Sequence, residues 1–185
     1  DDAEELGAAL AHNTSLKRLS LYNCSFGGRG LRGITEALKT STVIFGLDLY
    51  SLQIGDSGAA ALADALAVNS SLKKLSVHDC GIGAVGSRAI ADALKINPSL
   101  QTLGLDSNDI GDAGAAALAG ALAVNSSLKR LIAFDCGIGA VGSRAIADAL
   151  KINTCLEALD LGVNEIGDAE AVALADALGT TTSLT

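Results

Sequence analysis

Leu100-Gln101-Thr102-Leu103-Gly104-Leu105-Asp106-Ser107-Asn108-Asp109-Ile110 spells LxxLxLxxNxI, and this stretch decides the fold. Leu103 and Leu105 alternate with non-aliphatic neighbours, the signature of a short strand with one buried face. Outward from it in both directions the pattern returns every 28 residues, as a stacked-repeat architecture requires. Leu16, Ile44, Leu72, Leu100, Leu128, Leu156 and Leu184 form one column. Leu19, Leu47, Leu75, Leu103, Leu131 and Leu159 form the next, and Leu21, Leu49, Val77, Leu105, Ala133 and Leu161 a third.

The rest of each repeat changes period. Leu62 and Leu66 stand four apart, on one face of a helix. Their columns run Leu6, Ile34, Leu62, Ile90, Leu118, Ile146, Leu174 and Leu10, Leu38, Leu66, Leu94, Leu122, Leu150, Leu178. Asp56 is the expected N-cap of this helix, and Asn69 is expected to end it in a left-handed conformation. One strand and one helix cannot bury both apolar faces alone. Stacked copies can, with a parallel sheet lining the inside of an arc and helices outside.

These motifs resemble the ribonuclease-inhibitor class of leucine-rich repeats, which is also found in NOD-like receptors and Ran GTPase-activating proteins. The resemblance implies an α/β solenoid shaped as a horseshoe. The column after each strand reads Cys24, Leu52, Cys80, Asn108, Cys136, Asn164. Leu52 departs from it, and a locally distorted loop is expected there. A second period lies above the first: residues 44–99 and 100–155 agree at 41 of 56 positions. Repeats of two types therefore alternate. The whole chain, 1–185, reads as a single repeat domain. It opens on a helical half-repeat, 1–15, and continues through repeats 16–43, 44–71, 72–99, 100–127, 128–155 and 156–183. Residues 184–185 would begin another, so a fragment of a longer array is expected, its C-terminal layer covered by further repeats or a neighbouring subunit.

Composition narrows the function. The formal charge is −8, whereas phosphate binding needs a basic footprint, so nucleic acid is not an expected partner. No apolar run reaches the ~18–20 residues of a membrane span, and no membrane role is expected. The acidic first residues lack a leader pattern. With four cysteines expected to remain thiols, this favours a reducing, cytoplasmic setting.

Several constellations dissolve into the repeat. Gly81-Ile-Gly83-Ala-Val-Gly86 matches a dinucleotide fingerprint with Asp106 downstream. Gly83 and Gly86, however, share columns with Gly55 and Gly58, so a sharp strand-to-helix turn explains them. Cys24, Cys80 and Cys136 lie two layers apart, about 10 Å, which is beyond disulfide or zinc reach; they are expected as small buried fillers. Asn-x-Ser occurs at Asn13, Asn23, Asn69 and Asn125, and turn chemistry accounts for most of it. His12 and His78 have no nucleophile in a recognisable frame. A catalytic role, a metal or a cofactor is not expected.

The 15 differences between the two 56-residue units avoid the helices almost entirely, and most fall in the strands or just after them. Gly46/Thr102, Asp48/Gly104, Tyr50/Asp106, Lys74/Arg130, Ser76/Ile132 and His78/Phe134 are all expected to point outward on the concave face. One column reads Tyr22, Tyr50, His78, Asp106, Phe134, Gly162, and exposed aromatics on a rigid sheet favour binding. The face is expected to be basic along one edge, aromatic in the middle and acidic along the other. A protein-binding surface is therefore expected at Arg18, Tyr22, Asp48, Tyr50, Lys74, His78, Asp106, Arg130, Ile132, Phe134 and Asp160. The alternatives are a spacer in a large assembly, held by its helices or ends, and a regulator of an enzyme.

Overall fold

The computed structural model describes residues 2–24 and 28–180. Helix and strand alternate throughout. The elements are α1 (Asp2–His12), β1 (Arg18–Tyr22), α2 (Gly28–Thr40), β2 (Gly46–Tyr50), α3 (Gly55–Val68), β3 (Lys74–His78) and α4 (Ala84–Leu94). They continue as β4 (Thr102–Gly104), α5 (Gly111–Leu122), β5 (Arg130–Ile132), α6 (Ala140–Leu150), β6 (Ala158–Asp160) and α7 (Asp168–Thr180). The six strands form one parallel sheet in the order β1-β2-β3-β4-β5-β6. Each residue pairs with the one 28 places on, such as Leu19 with Leu47 and Leu75 with Leu103. The sequence period is thus the register of the sheet. The expected end at Ser183-Leu184-Thr185 lies outside the described residues.

The columns meet in one core. Leu47, Leu75, Leu103 and Leu131 from the strands are fully buried against Ile90, Leu118 and Ile146 from the helices. Burying each such side chain contributes about 1.5–3 kcal/mol, so the stack, not any single layer, carries stability.

The layers are also stitched by polar side chains in ways that local rules did not foresee. Asp56 does not cap its own helix, whose N-terminus lacks a side-chain hydrogen bond. Its Oδ1 instead accepts the backbone N–H groups of Gly83 and Gly86, at 2.7 and 2.8 Å, and so caps α4 of the next layer. Asp112 does the same for Gly139 and Gly142 of α6. This explains the two-repeat period: an Asp in one layer serves a helix that starts with Ala84 or Ala140 in the next.

Asn69 is likewise not left-handed; its φ is −81° and ψ 131°. Its buried amide donates to the Leu38 and Ser41 carbonyls of the preceding layer, while Oδ1 accepts from the N–H groups of Ser71 and Leu72. Asn97, Asn125 and Asn153 repeat this clasp. The left-handed non-glycine residues, with φ of 48–55°, are Asn23, Ser51 and Asp79, directly after β1–β3, and Ser107, Asp135 and Val163, three residues past β4–β6.

Leu52 produces no loop distortion. Ser51 and Gly55 match Ser107 and Gly111 in φ, and the Ile54 N–H reaches the Leu52 carbonyl as Ile110 reaches Asn108. Its effect falls on the sheet. Asn108 donates to the carbonyls of Val77 and Leu105, at 2.6 and 2.7 Å, which would otherwise accept the next rungs of the ladder. Regular pairing is therefore interrupted after three residues on both sides of β4, although the N–H groups of Asp79 and Ser107 still reach the carbonyls of Asp106 and Phe134. Asn164 takes Ala133 and Leu161 in the same way, and β5–β6 is equally short. Leu52 has no amide to compete, so β1–β2 and β2–β3 run for five pairs each.

Candidate functional site: the concave sheet face

The longer pairing of β1–β3 carries the aromatic column as its last rung. Tyr22, Tyr50 and His78 are in register. The two tyrosine rings stack at 4.4 Å with 1° between planes, and His78 follows at 5.6 Å, tilted by 42°. Offset and tilted contacts at these distances are favourable for π systems. Tyr22 remains 62% exposed at the end of the row, while Tyr50 and His78 are half-buried. Loss of solvent beneath the ring, then the charge and hydrogen bond of Tyr50, lift the Tyr22 phenol above its ordinary pKa.

The same column behaves differently beyond β3. Asp106 is half-buried and breaks the aromatic row. Phe134 is exposed and lies over Gly162, where a Cβ would come within 2.9 Å of its ring. Phe134 therefore does not join the tyrosines, although the sequence places it in their column.

The centre of the strands is lower than expected. Asp48 is only 4% exposed, not outward in solvent. Lys74 Nζ stands 2.7 Å from its Oδ1, Arg18 Nε 3.8 Å from Oδ2, and the Ser20 hydroxyl donates to Oδ2. The long cationic side chains on either side fold over it, which removes Asp48 from the accessible surface. Gly46, Ser76 and Gly104 are buried as well, a second departure from the expected outward set. Of the expected site residues, Arg18, Tyr22, Arg130, Phe134 and Asp160 are exposed, and Tyr50, Lys74, His78, Asp106 and Ile132 are half-buried. Asp160 accepts the Gly162 N–H at 2.9 Å.

Along the strand N-termini, Lys17, Arg18, Lys73, Lys74, Lys129 and Arg130 make a basic edge. Lys17 sits 5.1 Å over the Phe45 ring, a cation–π contact. Lys129 bonds Glu157, which raises the lysine pKa. A depression of about 560 Å³ opens there between Lys74, Lys129, Arg130, Thr102 and Ile132. Asp79 and Asp135 are exposed on the opposite edge, past the aromatic row.

Elsewhere the glycine turn is closed to anions. The Gly83 and Gly86 N–H groups that a phosphate would need are held by Asp56, and those of Gly139 and Gly142 by Asp112. Cys80 and Cys136 are buried, and their thiols reach the carbonyls of Leu49 and His78 and of Leu105 and Phe134. Burial pushes the Cys136 pKa up to about 11. Cys24, expected as a buried filler, is only half-buried. The amides of Asn69 and Asn125 are occupied by carbonyls of the preceding layer. Among the described residues no cluster of three or more His, Cys, Asp or Glu side chains is placed to hold a metal ion. No described helix is long and apolar enough to cross a membrane.

Among solved structures, the tropomodulin C-terminal domain of Caenorhabditis elegans is similar over 97% of this chain and 93% of its own, with 16% identity and a TM-score of 0.62. The leiomodin-1 structure described as actin-binding site 2 is similar over 97% of this chain and 87% of its own, with 22% identity and a TM-score of 0.61. At these identities the likeness is one of fold. No curated protein sequence matches the chain. The family described as Leucine Rich repeat matches residues 12–34, 68–91, 97–119 and 153–175, together just over half of the chain. With that match, and a strand and helix recurring in each layer, the chain belongs to the leucine-rich repeat family.

Proposed function

We propose that this protein is a binding module that holds a protein partner on the concave face of its sheet, centred on Tyr22, Tyr50 and His78. The observation that carries this is the in-register row itself: two stacked tyrosines and a histidine on a rigid five-residue ladder, with Tyr22 open to solvent. Aromatic rings held in place lose little conformational entropy on contact, which is why such residues dominate binding energies. The cations on one side and carboxylates on the other would orient a charged partner. The structural neighbour named for an actin-binding site makes actin the first partner to test.

Co-sedimentation with filamentous actin and affinity capture with quantitative mass spectrometry test the reading together. Tyr22→Ala with Tyr50→Ala should remove the bound partner while the melting curve stays cooperative. A control pair on the helical side, Val85→Ser with Val141→Ser, should leave it in place. Retention by the tyrosine variant and loss by the valine variant would instead favour a spacer held by its helices, whose exposed Val85 and Val141 make that alternative specific.

A further inference from the structure

The concave face has the cross-section of a trough. Its floor is the middle column of the strands: Ser20, Asp48 drawn down beneath Lys74 and Arg18, Ser76, and Gly104. One wall is the basic edge and the other is the row of Tyr22, Tyr50 and His78. Wall to wall is four residues of strand, about 13 Å at ~3.3 Å per residue. An α-helix with its side chains is about 10–12 Å across.

The basic wall also has a pitch. Cation pairs recur every second layer, as Lys17-Arg18, Lys73-Lys74 and Lys129-Arg130. Strands about 4.8 Å apart put these pairs about 9.6 Å apart. Seven residues of α-helix advance about 10.5 Å. Side chains of this length absorb a mismatch of an ångström over each step.

We infer that the trough receives an amphipathic α-helix of the partner, lying across the strands, with a carboxylate every seventh residue facing the basic wall and apolar residues facing the tyrosines. This rests on the concave reading above and specifies it. Charge complementarity selects the occupant. A nucleic-acid strand could also meet the basic wall, but Asp79, Asp106 and Asp135 line the far side and would repel its phosphates. The cations are not equally free. Arg18 and Lys74 are engaged with Asp48, and Lys129 with Glu157. Lys73 and Arg130 have no ion-pair partner among the described residues and would be the principal contacts.

Two lactam-bridged helical peptides of about 21 residues and identical composition test this on the full chain by fluorescence anisotropy. In one the three glutamates stand seven apart, which spans the three cation pairs; in the other they are spaced five and nine. The seven-spaced peptide should bind at least tenfold more tightly. Lys73→Glu with Arg130→Glu, checked for folding by circular dichroism, should lose at least tenfold, and a lysine version of the peptide should restore it. Equal binding of the two spacings, no loss in the reversed variant, or no rescue would overturn the inference. So would equal competition by a single-stranded oligonucleotide. If the peptides fail while the tyrosine variant still loses its captured partner, the helix assignment falls and the concave reading stands. If the tyrosine variant keeps its partner, the concave reading falls as well.

Discussion

The two halves of the sheet are built from nearly the same repeat, yet β1–β3 pair over five residues and β4–β6 over three. The difference traces to one column. Asn108 and Asn164 each take two strand carbonyls for a side-chain amide, and Leu52 takes none. Where the ladder continues, it delivers Tyr22, Tyr50 and His78 in register as a stacked row. Where it is cut short, Asp106, Phe134 and Gly162 occupy the same column without stacking. The lesson is that an apparent defect in the repeat shapes the concave face: losing the polar residue lengthens the regular pairing that carries the aromatics.

The largest effect is expected at Asn108→Ala. That amide also accepts from the N–H groups of Cys80 and Ile82, so two buried N–H groups lose their partner, while the carbonyls of Val77 and Leu105 are released to the ladder. A loss of about 3 kcal/mol is expected, since buried groups left unsatisfied cost ~1–3 kcal/mol each and water relieves some of them. Urea denaturation measures it. A loss below about 1 kcal/mol would mean that the asparagine does not organise the C-terminal half.

Next comes the trans cap, which both halves share. Asp56→Ala and Asp112→Ala should each cost about 1–2 kcal/mol, as removal of a capping side chain does. Similar values for the two would show that the halves differ in the sheet and not in the helical layer. Asp64→Ala, on the exposed side of α3, is the control and should be near zero.

Much of this is legible in the amino-acid sequence. The 28-residue columns gave the strand register, the buried leucines and the alternating repeat types, because each follows from side-chain periodicity. Asp56 and Asn69 depart from the expected caps because rules for helix ends consider only the residue's own helix, whereas both side chains serve a backbone about one layer away. A signal was present: Asp56 and Asp112 alternate with Ala84 and Ala140, which leaves the second helix of each pair without a cap of its own. Strand parity puts Asp48 on the concave face, where it lies. Its burial depends on Lys74 and Arg18 folding inward, and that is set by flexible side chains without a periodic signature.

Smaller effects sharpen the contrast between the halves. Val163 is a β-branched residue held at φ 55°, in a column otherwise filled by Asn, Ser and Asp. Its side chain is 67% exposed, so little packing compensates the strain. Val163→Gly should raise stability by about 1 kcal/mol, read as an increase in Tm, whereas Asn23→Gly should change little. A destabilised Val163→Gly would contradict the assignment of strain.

Alkaline pH offers a gentler test. The Cys136 thiol ionises at 9.0 when unfolded and at about 11 in the fold, through desolvation. The folded state therefore holds its proton longer. Its contribution is intact below pH 9 and falls as pH rises from 9 towards 11. Tm should drop across that window, and the drop should shrink in Cys136→Ala. An unchanged pH profile in that variant would place the titrating group elsewhere.

The central claim is that Leu52 sets the length of the first three strands and thereby the aromatic row. Amide hydrogen exchange in Leu52→Asn tests it most directly. The new amide should take the carbonyls of Leu21 and Leu49, and the N–H groups of Tyr50 and His78 should then exchange at least tenfold faster, approaching Asp106 and Phe134 in the native chain. Unchanged protection at Tyr50 and His78 in a folded Leu52→Asn protein would contradict the account.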